Sequence, residues 1–161
     1  MSQDNVEIVR SFYAALDRFF DAYRRDPKPL APALETGAVS PEIKEMLSYE
    51  HPDIEWQPWS GNFFGTFHGH LQLMKAWDDW LVETEDYRVE LEEASDLGQG
   101  HVLAVAVLDF TAKTTKLRVN ARVFTLYTLR DEMIVRVAEY SERKEALHAA
   151  GLSEQDAHVD S

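Results

Sequence analysis

The sequence predicts an α+β fold, with helices leading into an antiparallel sheet. Three observations carry this. Residues 5–25 and 70–84 repeat apolar side chains at helical spacing. Residues 87–142 instead fall into four extended segments separated by short polar turns. Sequential strands joined by tight turns pair antiparallel, so the helices must cover one face of that sheet.

The first helix opens at Asp4 and Glu7, a capping-box-like pair, and runs its apolar stripe through Ile8, Phe12, Leu16, Phe19 and Tyr23. Pro27, Pro29 and Pro32 end it near Arg25 and predict an irregular loop up to residue 40, with Gly37 as a further break. Ser40-Pro41 places a cap and a first-turn proline before a short helix, EIKEML, which His51-Pro52 stops. DIEWQP reads as a strand, and Gly61, Gly65 and Gly69 punctuate the segment after it. The next helix starts near His70 and buries Leu73, Met74, Trp77, Trp80, Leu81 and Thr84.

The four strands are YRVELEEAS, HVLAVAVLDF, KLRVNARVFTLYTLR and IVRVAEYSE. The third puts Leu117, Val119, Ala121, Val123, Thr125 and Tyr127 on one face and Arg118, Asn120, Arg122, Phe124 and Leu126 on the other. The turn between the last two strands, centred on Asp131-Glu132, requires positive φ without a glycine. A short helix, RKEALHAAG, closes at Gly151. Residues 1–152 read as one domain, with 26–50 a loop plus a short helix and 153–161 a polar tail.

Composition narrows the function classes. The 161 residues are 45% hydrophobic, enough for one sizeable core, and 16 basic against 29 acidic residues give a net charge of −13. That field repels phosphate backbones and anionic lipid, so neither nucleic acid nor a membrane surface is the expected partner. Without cysteine there is no thiolate nucleophile or cysteine-held zinc. The N-terminus has no basic segment followed by an apolar run, so the expected location is cytoplasmic.

NVEIVRSFYAALDRFFDA, HPDIEW, GTFHGH, YRVELEE and VFTLYTLRDEMIVRVAEYSERKEALHAAGL together resemble a SnoaL-like domain of the nuclear transport factor 2-like superfamily. Its members include polyketide cyclases, ketosteroid isomerases, scytalone dehydratase and limonene epoxide hydrolase. The resemblance spans about Asn5 to Leu152, with 26–50 longer than usual. It implies a cone-like curved sheet wrapped around N-terminal helices, an internal apolar pocket, no cofactor and a small apolar molecule as ligand. One fold hosts many reactions, so the reaction does not follow. The steroid isomerase branch uses a tyrosine on its first helix, a carboxylate base before a proline and a protonated carboxyl donor on the long strand. The matching positions here are Phe12, Gln57 and Thr125, which do not reproduce that chemistry.

The candidate acid–base groups are Asp109, the one charge in an apolar strand, Glu139 on the last strand, His70, and Tyr127. Three have a plainer reading: Asp109 solvated near a turn, Glu139 paired with Arg122 or Arg136, His70 a helix cap. If the face of Val123, Thr125 and Tyr127 lines the pocket, Arg122 points outward; otherwise it faces the pocket. His51, His68 and His70 lack the spacing of a helical metal motif, and no metal is expected. Phe12, Trp56, Gln57, Trp59, Phe63, Trp77, Val123, Thr125 and Tyr127 are the expected ligand-binding residues, with Trp59, Phe63 and Phe64 forming a lip. An acid–base enzyme and a non-catalytic binding or accessory protein both fit. The second strand is apolar on both faces, Leu103, Val105 and Val107 on one, Val102, Ala104, Ala106, Leu108 and Phe110 on the other. This predicts a homodimer through the uncovered face of the sheet.

Overall fold

The computed structural model describes residues 2–59 and 65–153, with side chains from residue 5 onward. Phe63, Phe64 and the tail from residue 154 lie outside the described residues. The elements, in chain order, are α1 (Ser2–Arg25), α2 (Leu30–Thr36), α3 (Pro41–Leu47), β1 (Glu50–Gln57), β2 (Phe67–His68), α4 (Gly69–Val82), β3 (Thr84–Gly98), β4 (His101–Ala112), β5 (Arg118–Arg130), β6 (Met133–Tyr140) and α5 (Arg143–Ala149). They build a curved, unclosed sheet of six strands in the order β2-β1-β6-β5-β4-β3. The last four strands form the predicted antiparallel meander, and β1 joins it parallel to β6.

α1 lies in the hollow of the sheet. Its buried residues Val9, Phe12, Tyr13, Leu16, Phe19 and Phe20 pack into one core with Val102, Ala104, Ala106, Tyr127, Ile134 and Val137. The buried face is broader than the predicted stripe. Ile8 and Tyr23 are half-buried, while Val9, Tyr13 and Phe20 are fully enclosed. A helix seated in a concave sheet meets protein on more than one side, so a single narrow stripe underestimates its contacts.

The stretch predicted as irregular contains a helix, α2. The three prolines hid it. Pro32 stands in the first turn, where a missing N–H costs nothing. The helix is anchored from elsewhere: the Asp78 carboxylate on α4 accepts the N–H of Leu30 at 2.6 Å and of Ala31 at 2.9 Å. α3 begins as predicted, with Ser40 Oγ accepting the Ile43 N–H at 3.3 Å.

The outer face of the sheet is not the apolar patch the sequence suggests. α5 folds back over it, and Ala146 and Leu147 seal Leu103 and Val105, which are 1% and 2% exposed. Around this small second core run ion pairs: Asp109–Arg118, Glu92–Arg122, Glu55–Arg136 and Glu93–Arg143. α5 thus covers the Leu103–Val105 part of the face on which a homodimer was expected. Arg122 points outward, as the strand pattern requires, and its partner is Glu92 rather than Glu139.

Candidate functional site

The curvature of the sheet leaves a cavity between its inner face and α1, α3 and α4. It has two adjoining lobes. An inner lobe of about 60 Å³ is lined from α1 by Phe12, Tyr13 and Leu16, from β1 by Glu50, Ile54 and Trp56, from β5 by Val123, Thr125 and Tyr127, and from β6 by Val137 and Glu139. An outer lobe of about 530 Å³ is walled by Pro58, Trp59, Phe67, Trp80 and Val82, with Asp79 and Glu83 at its margin. Trp56, Trp77, Tyr87, Leu108 and Glu139 belong to both lobes and form the neck between them. Trp56 and Trp77 lie parallel across it, with centroids 5.9 Å apart and planes 2° from coplanar direction.

The polar groups in this apolar chamber are few and specifically placed. Glu139 pairs in register with Thr125 across the β5–β6 ladder, so both side chains enter from neighbouring positions on the inner face. The Glu139 carboxylate accepts the backbone N–H of Trp59 at 2.7 Å and the indole N–H of Trp56 at 3.4 Å. No arginine or lysine reaches it within bonding distance among the described residues. Glu139 is half-buried, and its side chain lines both lobes. Burial pushes its pKa up to about 7, against the lowering pull of the two N–H donors.

Deeper in, the Tyr127 hydroxyl donates to the Tyr13 hydroxyl at 2.9 Å. Thr125 is a second hydrogen-bond partner of the Tyr13 hydroxyl. Burial pushes Tyr13 up to about 12 and Tyr127 well above its ordinary value, so both stay protonated donors at neutral pH. Glu50, at the start of β1, is 3% exposed, and its Oε2 has no hydrogen-bond partner among the described residues. Burial alone pushes its pKa up to about 8.

The predicted site residues divide. Phe12, Trp56, Trp77, Val123, Thr125, Tyr127 and Glu139 come together around the inner lobe, and Trp59 stands on the outer one. Gln57, Asp109 and His70 are placed elsewhere. Gln57 is in register with Ala138 on the outer face and accepts from Arg136 at 3.4 Å, so β1 points Trp56 inward instead. Asp109 makes a bidentate pair with Arg118 on the outer face, which holds its carboxyl below the usual carboxylate range, the reverse of the raised value an internal acid needs. The ring of His70 turns to the backbone. Its Nε2–H donates to the carbonyl oxygen of Glu50 at 3.0 Å, a carbonyl being able only to accept. It neither caps α4 nor lines the cavity; Gln72 instead accepts the His68 N–H at 2.8 Å. His51 Nδ1 accepts the Asp53 N–H at 3.0 Å. Among the described residues no group of three or more His, Asp or Glu is placed to hold a metal.

Tyr13, Tyr87 and Glu50 are among the lining residues absent from the predicted site. Tyr13 supplies, one position on, the hydroxyl that Phe12 lacks. Glu50 follows the apolar face of α3, which was the available signal, but its burial depends on strands far away in sequence.

Residues 9–137 match the SnoaL-like domain model, so the chain belongs to the SnoaL-like family. Solved structures agree on the fold. An NTF2-like protein of unknown function from Burkholderia pseudomallei superposes with a TM-score of 0.65 at 15% identity, covering 90% of this chain and 95% of that one. An NTF2-like protein from Burkholderia thailandensis gives 0.64 at 22%, covering 91% and 95%. TerC, crystallised with polyporic acid, gives 0.60 at 18%, covering 91% and 96%. At these identities the likeness carries the fold and not the reaction. No curated protein sequence matches the chain significantly. No helix among the described residues is long and apolar enough to cross a membrane.

Proposed function

We propose that this protein binds a small, ring-containing apolar molecule in the two-lobed cavity and transfers a proton on it, with Glu139 as the acid–base group and no cofactor. The observation that carries the reading is the position of Glu139. It lines both lobes, held by two N–H donors and matched by no cation among the described residues. A carboxyl near pKa 7 is half-ionised at neutral pH, where a general base and its conjugate acid are both available. The aromatic outer lobe holds the ring system and excludes water. The protonated Tyr13–Tyr127 pair offers an O–H to a developing oxyanion on the ligand.

The test is carbon–hydrogen exchange. 2-Tetralone, a two-ring ketone with activated C–H bonds, is incubated in D2O with the protein and followed by proton NMR. The wild type is expected to accelerate exchange well above buffer, and Glu139→Gln to abolish the acceleration while still binding the ketone. Binding without acceleration by the wild type would overturn the catalytic reading in favour of a non-catalytic binding or accessory protein. An equally active Glu139→Gln variant would overturn the role of Glu139.

A further inference from the structure

We propose that the ligand of this cavity is a ring-bearing amine in its protonated form, with the ammonium seated in the inner lobe against Glu50 and the rings in the outer lobe. This rests on the reading above that the cavity is the working site, and it names the class of molecule that site takes.

Among the described residues, the lining of the two lobes contains four carboxyl groups, Glu50, Glu139, Asp79 and Glu83, and no lysine, arginine or histidine. The contrast with the rest of the sheet is sharp. On the outer face Glu55, Glu92, Glu93 and Asp109 each have an arginine. Inside, Glu50 has lost its water and gained nothing: its Oε2 is buried without a donor. A buried acceptor with no partner is uncommon and destabilising, and a native one calls for a group that completes it. A ligand N–H satisfies it.

Charge and shape then select among donors. An anionic head would meet four carboxyls and no cation, within a chain of net charge −13. A neutral hydroxyl would fill the hydrogen bond and leave the carboxyl protonated and uncharged. An ammonium fills the hydrogen bond and also favours the ionised carboxylate, giving a charge-assisted contact that a hydroxyl cannot. The inner lobe, at about 60 Å³, admits a small head on a short stem, while the outer lobe, at about 530 Å³, takes the ring system. Asp79 and Glu83, both exposed at the margin, draw a cation towards the opening. Bound there, the ammonium also favours the ionised form of Glu139, the form that accepts a proton.

The experiment compares tryptamine, tryptophol and indole-3-propionate, which share a ring and differ in carrying a cationic, a neutral or an anionic head. Affinities are measured by titration calorimetry at pH 7. The wild type is expected to bind tryptamine roughly tenfold or more tightly than tryptophol, as a charge-assisted hydrogen bond provides, and indole-3-propionate weakest. Glu50→Gln, isosteric with the protonated side chain, is expected to close most of the gap between the amine and the alcohol. Equal wild-type affinity for tryptamine and tryptophol would overturn the amine assignment while leaving the cavity as a binding site. Tightest binding of the propionate would overturn it too. Failure of all three to bind would overturn this inference together with the cavity reading beneath it. A gap that survives Glu50→Gln would overturn the placement of the ammonium. The wild-type comparison stands even if the variant does not fold.

Discussion

The Asp78 carboxylate on α4 receives the backbone N–H of Leu30, 48 residues earlier in the chain, at 2.6 Å. With the Ala31 N–H on its other oxygen, one side chain satisfies two of the free donors at the start of α2. α2 has no capping hydrogen bond from its own N-cap, Pro29. Asp78→Ala should therefore cost about 1–2 kcal/mol in denaturant unfolding, the range of a lost cap. It should also speed proteolysis within residues 26–40 more than elsewhere. Unchanged stability and cleavage would show that Leu30 and Ala31, both buried, hold α2 by packing alone.

Glu50 makes stability fall as pH rises. Its folded pKa is raised to about 8 from the ordinary 4.5, so between those values the unfolded chain gives up a proton that the folded chain keeps. Its contribution is intact below about pH 4.5 and is lost progressively towards pH 8. Glu139, raised to about 7, acts in the same direction. Glu50→Gln should flatten the wild-type decline and be more stable than wild type at pH 8 by about 2–4 kcal/mol, the scale of a shift this size. Parallel stability–pH curves for the two proteins would contradict the burial assigned to this carboxyl.

Trp77 is both core and wall. Its ring meets Trp56, Phe20 and Tyr87, and one side faces the neck of the cavity. Trp77→Ala should cost about 3 kcal/mol, the low end for a large aromatic truncation because the side chain is half-buried. Indole ligands should lose affinity in the same variant. A variant with weakened binding but full stability would make Trp77 a wall only.

The turn between β5 and β6 carries strain. Asp131 and Glu132 have φ of +52° and +66°, the left-handed geometry of a two-residue hairpin turn, which disfavours side chains. Glu132→Gly should raise stability by about 0.5–1 kcal/mol, seen as a higher Tm with unchanged pH dependence. A fall in Tm would mean that the unfolded-state entropy of the new glycine outweighs the relieved strain.

This turn was legible in the sequence, as were the four strands of the meander, the cap at Ser40 and the inward face of Val123, Thr125 and Tyr127. All depend on residues close together in the chain. What failed depends on distant partners. α2 owes its start to Asp78. The inward face of β1 is set by pairing with β6, through a register shift between Glu50 and Glu55, so Trp56 and not Gln57 enters the cavity. Asp109 stood out as a lone charge because its arginine, Arg118, lies on the next strand. Glu139 could be placed on its strand, but its lack of a cationic partner follows from where Arg122 and Arg136 went. α5 was visible as a helix, and nothing local said which face it would cover.

The backbone N–H of Trp59 has two duties. Trp59 is 40% exposed and stands at the wall of the outer lobe, while its N–H steadies the ionised form of Glu139. Doorway and proton are thus tied by one bond. Loss of that N–H makes Glu139 hold its proton more tightly. By reciprocity, a deprotonated Glu139 holds that N–H more firmly. The seating of the Trp59 backbone and the protonation of Glu139 are thus two readings of a single bond, and a change in one is felt in the other.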